Sequence, residues 1–133
     1  KLKILSNNED RLTYHDSCYL GRFNQVYESP RSIIKSISNG NFAEVARSKD
    51  SGLCCGAGGA QMFMEETQGK RINIERTEEL LATNANKIVL NCPFCSIMIS
   101  DGVKAKESDS QVLDIAEVIY QNLDFNYHKK LEI

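Results

Sequence analysis

Five cysteines are the residues in this chain with chemistry to offer. Two are adjacent, Cys54-Cys55, within Gly52-Leu53-Cys54-Cys55-Gly56-Ala57-Gly58-Gly59, a loop that glycine makes flexible enough to close around a ligand. Cys18 lies upstream, and Cys92-Pro93-Phe94-Cys95 lies downstream. The gaps from Cys18 to Cys54 and from Gly56 to Cys92 are each 35 residues. Such a set reads as sulfurs converging on one iron–sulfur cluster. A cubane [4Fe–4S] cluster takes four thiolates, so either one cysteine is spare or the cluster is non-cubane, with a thiolate that bridges two irons. Structural zinc also takes four ligands, in a tetrahedral site. Adjacent cysteines suit it poorly, because successive side chains diverge unless the backbone turns sharply, a turn that Gly56 permits. Cysteines that merely pack as small hydrophobes are the bland alternative, and it leaves the pairing unexplained. Thiol–disulfide exchange at Cys92 and Cys95 is a third reading that leaves three cysteines without a role.

Around the sulfurs, the Gly56, Gly58 and Gly59 positions let backbone amides come close, and Pro93 to Cys95 opens a helix whose free N–H groups favour anions. His15, three residues before Cys18, reads as a supporting or proton-handling group, or as a hydrogen-bonded histidine at a strand end. His15-Asp16-Ser17 has the letters of a hydrolase triad, but neighbours in sequence cannot face one another as nucleophile and base must. Lys70, Arg71 and Arg76 could lower the site's negative charge, although their helical spacing reads first as a solvated face. No dinucleotide fingerprint or phosphate-binding Gly-Lys-Ser/Thr is present. The catalytic residues, if the chain has any, are unassigned.

Alternating strands and helices must position these residues. Arg11–His15 reads as the first strand, with Cys18 at its carboxyl end. Ser29 and Pro30 start a helix with an Ile33, Ile34, Ile37 stripe, ended by Asn39-Gly40. Residues 42–47 read as a second strand leading to the Cys54-Cys55 loop. A helical stretch over 59–82 follows, weakened at Gly69 and Asn73, with Met62, Phe63, Ile72, Leu80 and Leu81 as core. Lys87-Ile88-Val89-Leu90-Asn91 is the clearest strand and delivers Cys92. A helix over 93–106 and a short strand at 111–113 come next. Asp114 and Glu117 then stand at capping-box spacing before a last helix. The crossovers are long enough for parallel pairing. The expectation is an α/β fold, with a parallel sheet of about four strands, helices on both faces, and the cluster site at the carboxyl ends of the strands.

At 133 residues the chain makes one ordinary domain that buries roughly two-thirds of its surface without staples. A net charge of -2 gives no basic field for nucleic acid, and no apolar run approaches a membrane span. An odd cysteine count with no export signal points to reduced thiols in the cytoplasm, any membrane association coming through partners or the rest of a longer protein. We expect residues 1–10 to be a polar leader or linker, 11–123 the domain, and 124–133 a fraying polar tail in which His128 has no role. A start at Lys1 suggests a piece of a longer protein.

The order Cys, Cys-Cys-Gly, Cys-x-x-Cys resembles the cysteine-rich CCG domain found in the catalytic subunit of heterodisulfide reductase and in iron–sulfur subunits of glycolate, lactate and glycerol-3-phosphate oxidation. The likeness runs from about Leu12 to Leu123. It covers Tyr14-His15-Asp16-Ser17-Cys18-Tyr19-Leu20-Gly21-Arg22, where the family usually has proline at Ser17, then Cys54 to Gly59, Asn91 to Cys95, and Asp114-Ile115-Ala116-Glu117. The resemblance implies a [4Fe–4S] cluster, cubane or non-cubane, held by Cys18, Cys54, Cys55, Cys92 and Cys95; in heterodisulfide reductase such clusters are non-cubane and act on a disulfide. Some relatives' modules hold zinc, which keeps a zinc-binding interaction module as the alternative. It further implies partners that are redox subunits or domains, ferredoxin-like or flavoprotein, and a heterodisulfide, quinone or flavin-linked donor as substrate. Family members commonly carry two modules and a ferredoxin-like segment. One module alone suggests a carboxy-terminal piece.

Overall fold

The computed structural model describes residues 3–6 and 9–129. The polar leader over 1–10 and the tail over 124–133 lie partly outside them. Among the described residues the sheet has three parallel strands, in the order β1 (Leu12–Tyr14), β2 (Lys87–Leu90), β3 (Gln111–Asp114). Leu12 pairs with Lys87 and Tyr14 with Val89; Lys87 pairs with Gln111 and Leu90 with Asp114. Central β2 is apolar at three successive positions, as a strand covered on both faces must be. Ile88 and Leu90 enter one core cluster with Leu80, Met98 and Ile99, while Val89 enters another with Ile34, Ile37 and Val118.

Around the sheet run α1 (Glu28–Ser38), α2 (Ile72–Leu81), α3 (Pro93–Ala105), α4 (Ile115–Gln121) and α5 (Phe125–Lys129). α4 begins as read from the sequence: Asp114 Oδ1 accepts from the Ala116 amide, and Glu117 Oε2 accepts from the Asp114 amide, closing a capping box. α1 starts earlier than Ser29, with Tyr27 as its cap and no side-chain cap bond. The tail carries the α5 turn. Asp124 pairs with Lys3, and Ile4 bridges Leu123, so described leader and tail residues run against each other.

Two expectations fail. The expected second strand, over 42–47, shrinks to a single bridge between Leu12 and Phe42, which leaves three strands where about four were expected. Beyond Phe42 the side chains are drawn to different neighbours: Glu44 to Arg31 of α1, Val45 into the core, and Arg47 to Glu75 and Glu79 of α2. A strand cannot serve all three directions. The helix over 59–82 is also shorter. It is a 3-10 turn at Gln61–Phe63, then extended chain through Gly69, then α2. Leu80 is core, as expected, but Phe63 is 81% exposed and Ile72 is exposed too.

α2 and α3 approach closely at Gly102. A Cβ there would lie 2.0 Å from Thr77 Oγ1 and 2.9 Å from Thr77 Cβ. In an open helix Gly→Ala gains about 1 kcal/mol, but overpacking a filled contact costs about 1–3 kcal/mol. Gly102→Ala should therefore lower stability, by roughly 1–2 kcal/mol, as a fall in the urea midpoint at constant slope. A stabilised variant would show that the helices are not in contact there.

Candidate metal centre

Two of the three cysteine segments leave the carboxyl ends of strands; the strand expected before Cys54-Cys55 does not form, so that pair follows no strand. Cys18 follows β1, Cys92 follows β2 and caps α3, and Cys54-Cys55 arrive on the loop between α1 and α2. The five line one cavity of about 740 Å³. Cys18 is exposed, Cys54 and Cys92 are half-buried, and Cys55 and Cys95 are buried; all are free thiols. Leu20, Met62, Phe63, Pro93 and Phe94 give the cavity apolar walls, with few polar groups besides Ser17 and Asn91.

Each segment is held by bonds to the others. Asp16 lies buried beneath Cys18, and Arg31 of α1 grips it through two N–H bonds of 2.8 and 2.7 Å. The same carboxylate accepts from the Lys49 amide at 2.7 Å, which ties in the chain leading to Cys54. Burial works against the Asp16 charge, but Arg31 and the Lys49 amide outweigh it, so its carboxyl sits below the usual range. After Cys18 the chain makes a π-helical turn, Tyr19–Phe23, and Arg22 reaches across to the Gly52 carbonyl at 2.9 Å. Such turns recur at functional sites. Asn91, just before Cys92, accepts from the hydroxyls of Tyr14 and Ser17 through one oxygen, locking the ends of β1 and β2 together.

Gly56 combines a left-handed backbone with close packing against α2. Its φ is +90°, and a Cβ there would lie 3.3 Å from the Asn73 amide nitrogen and from Ile72 Cβ at the start of α2. Gly58 lines the cavity, and both it and Gly59 face open space. The turn aims amides at sulfur: the Gly56 N–H donates to Cys54 Sγ at 3.3 Å, and the Gly58 and Ala57 amides act to lower the pKa of Cys54 and Cys55 respectively.

Thiols this close resist ionisation. The hydrogen bond shared with Cys55, then burial, push Cys54 well above the ordinary thiol range. Cys55 is pulled down by its bond with Cys54, yet its contact with Cys95 and burial leave it pushed up to about 11. Cys54 and Cys55 therefore hold their protons until a cation takes their place.

His15 is wholly buried beside these sulfurs; one of its ring nitrogens and the sulfurs of Cys55 and Cys95 lie within 4.8 Å of one another. Burial, then the neighbouring Arg76 charge, push its pKa down to about 3, so the ring is neutral. Arg76 corrects the reading of a solvated basic face. It is 0% exposed, with Nε donating to His15 Nδ1 at 3.0 Å and Nη1 to the Arg47 carbonyl and Glu79. Lys70 and Arg71 are exposed, as read. Arg31 and Asp16 escaped assignment to the site, and Arg76 reads first as solvated, since only a fold can show that a charged residue is buried. His128 has no described side chain.

Comparison with known proteins agrees with this geometry. The model of the CCG family, described as a cysteine-rich domain, matches residues 12–100, and the chain belongs to that family. It is 49% identical over 125 residues to the probable iron-sulfur-binding oxidoreductase FadF of Bacillus subtilis, covering 92% of this chain and 18% of that protein. It is 47% identical over 123 residues to EtfAB:quinone oxidoreductase of Syntrophomonas wolfei, covering 86% and 17%. Identity is 38% over 112 residues to one subunit of the dihydromethanophenazine:CoB--CoM heterodisulfide reductase of Methanosarcina barkeri, covering 84% and 27%. The chain thus spans under a fifth of the first two relatives. No solved structure matches it.

The graded burial of the thiols has a direct readout. In reduced, metal-free protein, iodoacetamide should label Cys18 first, Cys54 and Cys92 next, and Cys55 and Cys95 last, followed by peptide mass spectrometry over time. Equal rates in the native state would contradict this placement.

Proposed function

We propose that this member of the cysteine-rich CCG family is the redox domain of a larger oxidoreductase, and that Cys18, Cys54, Cys55, Cys92 and Cys95 hold a [4Fe–4S]-type cluster. The observation that carries the reading is five free thiols on one cavity of about 740 Å³, served by loop amides. A single zinc ion needs four ligands, leaves one thiol over, and fills a small part of such a space. When bound, the cluster supplies one-electron transfer, at a potential set by its charge, hydrogen bonds and exposure.

The chain's own residues supply the setting. The amides of Gly56, Ala57 and Gly58 act on sulfur and so relieve its negative charge. The apolar walls from Leu20, Met62 and Pro93 keep water from the buried side, where Cys55 and Cys95 sit. Cys18 marks the open side, next to Tyr19, which is 76% exposed, and there a redox partner can approach. That partner is a further redox domain or subunit, ferredoxin-like or flavoprotein, a reading supported by relatives named as oxidoreductases and as a subunit of heterodisulfide reductase. Residues 11–123 form the unit that does this, with 1–10 as leader or linker. No helix among the described residues is long and apolar enough to cross a membrane.

We favour the arrangement in which all five thiolates are used, with bridging at Cys54-Cys55, because adjacent sulfurs reach neighbouring irons at little loop-closure cost.

Anaerobic reconstitution with iron and sulfide should load about four irons per chain, with broad visible absorption and a paramagnetic signal in one redox state. One tightly held zinc with no iron uptake would overturn the cluster reading. Cys54→Ser and Cys55→Ser should each change the spectrum, serine being close in size but a poorer ligand for iron in sulfide clusters. A wild-type spectrum with full iron from either variant would leave an ordinary four-cysteine site.

A further inference from the structure

The buried pair of His15 and Arg76 remains unexplained by ligation. A guanidinium has donors only and keeps its protons. With Arg76 Nε donating to His15 Nδ1 at 3.0 Å, that nitrogen must present its lone pair. The hydrogen of a neutral ring then resides on Nε2. Nε2 is buried and has no partner among the described residues. A polar group left unmet in this way is destabilising, and its persistence asks for something to receive the hydrogen. The sulfurs of Cys55 and Cys95 are electron-rich groups beside the ring, within the same 4.8 Å cluster.

We propose that Arg76 fixes His15 as an Nε2–H donor to the cysteine centre, so that His15 acts on the negative charge held by the sulfurs of Cys55 and Cys95 and is not itself a ligand. Ligation through Nε2 would need that nitrogen's lone pair. The proton would then have to sit on Nδ1, facing the Arg76 N–H, two donors with no acceptor between them. Arg76 cannot easily turn away, because Nη1 is held by the Arg47 carbonyl and Glu79, and Arg47 is itself paired to Glu75 and Glu79. Arg76 is thus a positioning residue that acts through His15. A donor to thiolate sulfur raises a cluster's reduction potential. This last consequence rests on the iron–sulfur reading; the tautomer does not.

The tautomer can be read in metal-free protein by long-range proton–nitrogen correlation of ¹⁵N-labelled histidine at neutral pH. Only two histidines are present, so assignment needs one variant. His15 should show hydrogen on Nε2 alone, and Arg76→Met should allow the Nδ1–H form to appear. Hydrogen on Nδ1 in the wild type, or a tautomer unmoved by Arg76→Met, overturns the proposal. If Arg76→Met does not fold, the wild-type tautomer and two His15 variants decide. In protein reconstituted with iron and sulfide, His15→Leu should keep full iron and shift the midpoint potential to more negative values. His15→Gln, which keeps an N–H at similar reach, should stay near the wild type. Loss of iron from both variants would make His15 a ligand and sink the donor role. Uptake of zinc in place of iron would defeat the cluster reading while the tautomer result still stood.

Discussion

Arg31 brings five N–H groups into a place that water does not reach, and each finds an oxygen. Asp16 takes two, Glu44 takes two, and the Tyr27 carbonyl takes one. Burial disfavours the charge, but these partners outweigh it and hold the guanidinium protonated. A buried ion pair is poor evidence of net stability, since a matched apolar replacement can do as well. Its effect here is geometric. One planar group joins α1, the β1 end that leads to Cys18, and the Glu44 segment that leads to the cysteine pair. Asp16 adds the Lys49 amide to the same joint. Loss of one partner would leave a buried charge unmatched, a change that costs roughly 3–5 kcal/mol. It would also release two cysteine segments at once.

The cysteine centre faces a contrary constraint. Cys55 raises the pKa of Cys54, Cys95 raises that of Cys55, and the burial that orders the pair makes their charge harder to bear. Amides of the glycine loop act in the other direction, as does any donor on the His15 side. The balance leaves the centre preorganised in shape, with Cys54 and Cys55 protonated at rest. That combination suits a group which carries its own positive charge into the cavity, and it penalises a bare thiolate. Stability and chemistry are therefore set by different residues: the ion cluster around Arg31 shapes the frame, and the loop amides tune what the frame holds.

Much of this was legible in the sequence where local signals and fold agree. β2 announced itself as an apolar run, α4 by its Asp114–Glu117 capping box, and Cys18 and Cys92 by their places just after strand-like runs, whereas the strand expected before Cys54-Cys55 did not form. Phe42 to Arg47 misled because its residues look β-like, while Glu44 and Arg47 answer to charges on two different helices. Residues 59–82 misled because helical spacing persists on paper through a stretch where Gly69 has a φ of +72° and the chain runs extended. Phe63 looked like core for the same reason and lies instead on the cavity wall. Arg76 stands with Lys70 and Arg71 among the charges that could act on the site, but spacing favours the solvated reading: a charged residue on an amphipathic helix reads as solvated until its neighbours are known. His15 was visible as a neighbour of the site, but the direction of its hydrogen depended on Arg76.

The parallel register also bears on the order in which the chain assembles. β2 and β3 meet through α3 with a short separation, whereas the contact between Arg11 and Asn86 beside β1 and β2 spans 75 residues. Loop closure rises only slowly with length, yet it must be met before distant contacts repay it, so topologies of this kind fold slowly. The half of the pocket around Cys92 and Cys95 is thus assembled from local chain, and the half around Cys18 closes when β1 docks. Until that docking the thiols lie open to solvent and oxidant. During biosynthesis that interval ends only when β1, made before β2 and β3, pairs with β2.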